Sequence, residues 1–172
     1  MGVKDFLQGK WLGHPLHPAI VHVPVGFWLA AVVFDVTMLA GWPGQAFFRI
    51  SFFGIVLGTA GALVAAIPGL ADWSGIKREK PAWKLGLTHM IFNVAAVLVW
   101  GFNGWIRWPR FREAETVSGL EIGLSAAGTI LLLIGVWFGK RMTFDQGTSI
   151  GRQSRETLRR RAEEGKAAVP EE

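Results

Sequence analysis

Neither cysteine nor tyrosine occurs among the 172 residues. Without thiols the chain forms no disulfide, ligates no iron–sulfur cluster, builds no thiolate zinc site and attaches no c-type haem covalently. Without phenols it has no tyrosyl radical and no phenolic acid. Any bound metal must therefore be held by histidine, carboxylate or backbone oxygen. Charge is scarce as well: 18% of residues are Asp, Glu, Lys or Arg, against 51% hydrophobic. That is too little to cover the surface of a soluble domain of this size. There is no phosphate-binding loop after a strand and no nucleophile beside a base, so no enzyme class is indicated.

The apolar residues fall in long runs. Four segments predict transmembrane helices: 18–40, 46–67, 84–106 and 119–139. Each is close to the ~20 residues needed to cross ~30 Å of hydrocarbon at 1.5 Å per residue. Backbone polar groups in lipid must be satisfied within the segment, which makes these helices and the fold all-α. Short connections, among them Gly41-Trp42-Pro43-Gly44, predict an up-down-up-down bundle. His17 and Pro18 mark the start of the first helix. Pro24 is expected to free the carbonyl of Ile20 and bend that helix, and Pro68-Gly69 to end the second. Residues 1–140 form the membrane domain. Residues 141–172 are a basic tail, with a surface helix expected over Gln153 to Glu164 and disorder from Ala167 to Glu172. The lead-in lacks a signal-peptide cleavage site and is expected to be retained. No internal repeat is legible.

Four crossings put both termini on one face. Lys4, Lys10, Lys77, Arg78, Lys80, Lys84, Lys140 and the seven basic residues of the tail lie there, against Arg49, Arg107, Arg110 and Arg112 opposite. This imbalance predicts a multi-pass protein of the inner membrane with cytoplasmic termini. The pI near 10 then reflects attraction to anionic lipid rather than nucleic acid. Gly54, Gly58, Gly61, Ala62 and Ala65 form a small-residue stripe on the second helix, with Gly123, Ala127 and Gly128 on the fourth. Such stripes allow close helix packing, and Gly54–Gly58 also fits a homo-oligomer contact. Asp35, Glu121 and Arg49 form a charge cluster at the face opposite the termini. An Arg49 ion pair is expected there, with a proton or ion path as the alternative.

All four histidines lie toward the face that carries the termini. His22 and His89 enter the first and third helices from that side at similar depth, and Asn93 follows His89 by one turn. On diagonal helices the two rings can ligate both faces of a b-type haem iron, with Ala62, Ala65, Ala66 and Gly135 leaving room. Asp72, or a backbone carbonyl, would orient a ligating imidazole. A non-haem zinc or iron site would add His14 or His17 as a third ligand. The structural alternative is a set of interhelical hydrogen bonds, His22 to Asp72 or His89 to Asn93, in an assembly subunit without cofactor.

The run from His14 to Pro24 (HPLHPAIVHVP), Asp35, Gly69-Leu70-Ala71-Asp72-Trp73 and His89 resemble a bacterial membrane family known as domain of unknown function 2231. The resemblance covers residues 11–140. Members occur alone or joined to Rieske or cytochrome c modules, which implies proximity to electron transfer and to redox proteins or a membrane complex. The 172 residues contain no such module. The family implies the architecture and no established activity.

Overall fold

A computed structural model describes residues 2–144. The expected tail elements at Gln153–Glu164 and Ala167–Glu172 lie outside the described residues. The order is α1 (Val3–Leu7), a 3-10 turn (Lys10–Leu12), α2 (Leu16–Ile20), α3 (His22–Leu39), α4 (Gln45–Trp73), α5 (Pro81–Arg107), a second 3-10 turn (Trp108–Arg110) and α6 (Gly119–Phe144). No strand occurs among the described residues. Among the described residues, four helical stretches are long and apolar enough to cross a membrane: Leu16–Leu39, Gln45–Trp73, Pro81–Arg110 and Gly119–Met142.

Several boundaries differ from the sequence pattern. The first span opens at Leu16, with Pro15 rather than His17 as its extended cap residue. His17 and Pro18 thus lie inside the first turn, where a missing N–H costs nothing. The helix is interrupted at Val21, three residues before Pro24, as expected of a proline that cannot donate to Ile20. Pro68 does not end α4, which runs on to Trp73. In a bundle, neighbouring groups compensate a proline's disrupted turn; next to the carbonyl of Val64, which Pro68 leaves without its N–H, that of Ala65 is engaged by His17 Nδ1 at 2.8 Å. The third span starts earlier than expected, with Pro81 in its first turn.

α3 packs along α4 and α5 along α6, and the two hairpins close through α4–α5 and α3–α6 contacts. A core of Trp28, Ala31, Ile55, Ala96, Trp100 and Leu132 fills the middle. Its centre is a stack of Trp28 on Trp100, with ring centroids 5.5 Å apart and planes 9° apart. The indoles reach this stack because each lies over a glycine of its own hairpin. A Cβ on Gly58 would come within 2.5 Å of Trp28, and one on Gly128 within 2.6 Å of Trp100.

That correspondence extends along the bundle and exposes a repeat not visible in the sequence. His17, Trp28 and Asp35 on the first hairpin meet His89, Trp100 and Arg107 on the second. Gly58 corresponds to Gly128, Ala65 to Gly135, Gly69 to Gly139. The Thr59 hydroxyl donates to the carbonyl of Ile55 as that of Thr129 does to Ser125. The hairpins are thus related by an approximate two-fold axis along the bundle, on which the three pairs lie. Both enter the membrane from the same face.

Overpacking at these glycines costs ~1–3 kcal/mol. Gly58→Ala and Gly128→Ala are each expected to lower the thermal unfolding temperature in detergent. Gly123→Ala, whose added methyl meets nothing within 4 Å, is expected to leave it unchanged.

Candidate functional site

The axis carries polar groups at both ends. Opposite the termini, Asp35 of α3 and Arg107 of α5 form a fully buried, bidentate ion pair, Nη1 to Oδ1 at 2.8 Å and Nη2 to Oδ2 at 2.7 Å. Ser51 of α4 lies 2.6 Å from Oδ1 and Ser125 of α6 donates to Oδ2 at 2.7 Å. Every N–H of the guanidinium is used: Nε donates to Asn103 Oδ1 at 2.9 Å, and the remaining Nη hydrogens reach the Ser51 and Ser125 hydroxyls at 2.9 and 3.2 Å. Asn103 in turn donates to Ser125 Oγ and to the carbonyl of Glu121. The guanidinium carbon lies 5.7 Å from the Phe48 ring centre. The network is complete, which is what lets two charges stay buried.

This arrangement corrects the expected pairing. Arg49 bonds neither Asp35 nor Glu121; its Nε contacts the carbonyl of Phe111 at 3.5 Å and its guanidinium faces that ring. Glu121 instead pairs with Arg110. Its carboxylate also accepts from the backbone N–H of Ser118 at 2.6 Å, while the Ser118 hydroxyl accepts from Glu121 N at 3.3 Å. This is a capping box at the start of α6. Arg107, Ser51, Ser125 and Asn103 were missed in the sequence. The available signal was the spacing Trp100, Asn103, Arg107, which falls on one helical face.

At the face of the termini, His17 of α2 meets His89 of α5, with ring centroids 6.2 Å apart and planes at 89°. Each imidazole is tied to the second helix of its own hairpin. His17 Nδ1 lies 2.8 Å from the carbonyl of Ala65 and His89 Nδ1 lies 2.7 Å from that of Gly135. A carbonyl only accepts, so each Nδ1 carries a proton, and in the neutral ring Nε2 is the nitrogen with the lone pair. Gly69 and Gly139 lie against the two rings, where a Cβ would come within 2.8 and 3.0 Å.

His22, expected opposite His89, is not brought to it. Its ring is exposed on its own helix, with Nδ1 3.3 Å from the carbonyl of Ala19. His14 is also exposed, its Nδ1 3.1 Å from the carbonyl of Leu12. Asn93 does accompany His89: its amide donates to the His89 carbonyl at 2.7 Å and lies 3.2 Å from Nδ1 and 3.4 Å from Nε2. Asp72 orients neither ring; backbone carbonyls do. It is half-buried, and its Oδ2 has no hydrogen-bond partner among the described residues. No group of three His, Asp or Glu placed to hold a metal occurs among the described residues. The imidazoles that the axis brings together are those of His17 and His89, set edge to face. Two such rings bound on opposite sides of one metal, at about 2.0 Å per bond, hold their centres roughly 6 Å apart. The observed separation fits that arrangement.

A family model described as "Predicted membrane protein (DUF2231)" matches residues 13–152. The chain belongs to this family. It is thus an integral membrane member of DUF2231, and the match spans all four helices and both polar ends of the axis. Neither a curated protein nor a solved structure matches it.

Removing one partner of a buried pair strands the other charge, at ~3–5 kcal/mol. Asp35→Leu and Arg107→Leu are each expected to destabilise by that order. The double variant is expected to lose less than the sum of the two. Thermal unfolding of all four proteins in one detergent measures the coupling; strict additivity would refute it.

Proposed function

We propose that this protein is a bacterial inner-membrane subunit with cytoplasmic termini that carries a b-type haem between His17 and His89 and passes electrons to a redox partner. The observation that carries the reading is the 6.2 Å separation of the two imidazoles, each with its Nδ1–H held by a carbonyl, which leaves Nε2 as the donor atom of a neutral ring. Second-sphere hydrogen bonding of this kind orients an axial ligand and raises its basicity. His17 and His89 would hold the group, and a haem would bring the remaining metal donors with it. Gly69 and Gly139 let the Nδ1–Cε1 edges of the rings approach α4 and α6 closely, which supports rings held in place by the helices. When bound, haem supplies one-electron chemistry. The chain's own part is to fix the rings, exclude lipid and keep the site near one membrane face. Cytoplasmic termini follow from the basic residues gathered on that face.

The direct edge contact of the two rings supports a second reading, a structural brace without cofactor. Optical spectroscopy separates the two. Protein purified from membranes, or reconstituted with haemin, is expected to show a Soret band and sharp reduced visible bands. His17→Ala and His89→Ala are each expected to abolish them, while exposed His22→Ala leaves them intact. The haem reading fails if saturating haemin yields no Soret band, or if His22→Ala removes the band and His17→Ala does not. The brace predicts lower thermal stability for the same two variants with no change in any bound species.

A further inference from the structure

The turn that joins the hairpins gathers exposed cations at the membrane face that carries the histidine centre. Between Trp73, which ends α4, and Lys84, in the first turn of α5, the exposed side chains include Lys77, Arg78, Lys80 and Lys84, with Glu79 as the single acid. None of the four cations lies within ion-pair distance of a carboxylate among the described residues. The same turn carries a built platform. Trp73 and Trp83 pack with centroids 5.1 Å apart, and Trp73 Nε1 donates to the carbonyl of Trp83 at 3.1 Å. The Arg78 guanidinium stands over the Trp83 ring at 5.9 Å. The turn is held by its own backbone bonds, Gly75 to Asp72, Ile76 to Trp73 and Lys80 to Lys77.

From this we infer that the turn is a binding site for the phosphate headgroup of an anionic phospholipid of the phosphatidylglycerol type. The level of the site selects lipid over an acidic protein. One span ends at Trp73 and the next starts at Pro81, so the cations stand where phosphodiesters are already concentrated. Tryptophan is enriched at that level because its ring is apolar and its N–H polar. A guanidinium resting on an indole keeps its planar edge free for two parallel bonds to phosphate oxygens. Lys77, Lys80 and Lys84 add charge around it. An anionic surface attracts such clusters by about 1 kcal/mol per basic residue, screened by salt.

The test uses the full chain in nanodiscs of phosphatidylcholine with and without phosphatidylglycerol, and counts lipid retained after release by native mass spectrometry. The parent is expected to retain phosphatidylglycerol selectively, and less so as salt rises. The combined variant Lys77→Gln, Arg78→Gln, Lys80→Gln, Lys84→Gln is expected to lose roughly tenfold or more of that preference. A control with glutamine at Arg152, Arg155, Arg159, Arg160 and Arg161 is expected to keep it. Circular dichroism in phosphatidylcholine checks that the variants stay helical; should the combined variant unfold, Arg78→Gln alone carries the same expectation. Undiminished retention in the turn variant overturns the inference, as does loss caused by the tail control alone. Displacement of the lipid by soluble polyglutamate at equal charge overturns it in favour of an acidic protein partner.

Discussion

A carboxylate and a guanidinium lie where there is no water to solvate them, and the bundle is arranged so that neither needs any. Asp35 comes from α3, Ser51 from α4, Arg107 from α5 and Ser125 from α6, so each membrane helix contributes to one hydrogen-bonded knot. Rotating or sliding any helix breaks at least one of those bonds, in a medium where an unmet polar group costs several kcal/mol. The knot therefore sets rotation and depth for all four. Seven residues toward the termini from Asp35 and from Arg107 is about two helical turns, and eighteen residues is five. Those steps lead to Trp28 with Trp100, and to His17 with His89. Once the charges are matched, the indole stack and the imidazole pair fall opposite one another.

The indoles illustrate how close the balance is. Both Nε1 hydrogens are buried without a partner among the described residues, which costs roughly 1–3 kcal/mol each. Against this stand the stacking and the close approach of the helices that Gly58 and Gly128 permit. In a membrane, where lipid chains are as apolar as the helix surfaces, such packing and the polar knot are what drive association.

Much of the fold was legible in the sequence, and the parts that were not share a cause. Long apolar runs announced four spans because hydrocarbon thickness dictates their length. The glycine stripe on α4 announced close packing because only small residues allow it. The face holding the histidines followed from topology alone. Which histidine met His89 did not follow, because His22 and His17 are both near that face and five residues separate them along a helix interrupted at Val21. Depth along a neighbouring helix decides between them, and no single segment contains that depth. Arg107 was similarly hidden: in a basic, aromatic stretch it looks like a flanking anchor, and only its place one face-step from Trp100 and Asn103 marks it as inward. Arg49 had the opposite fate, being near the right level and on the wrong side of its helix. The Ser118–Glu121 capping box was readable as a helix start, but the charge of Glu121 drew attention to a cluster instead.

The approximate two-fold has one broken pair with a use of its own. At equivalent positions the first hairpin holds an acid and the second a base. Two copies of the first hairpin, brought together as the two different hairpins are, would bury aspartate against aspartate; two copies of the second would bury arginine against arginine. Either error confines like charges in hydrocarbon, whereas one of each neutralises both. Opposite charge at a symmetric position thus disfavours self-pairing of halves that otherwise match each other at the His and Trp levels, and favours the unlike partner.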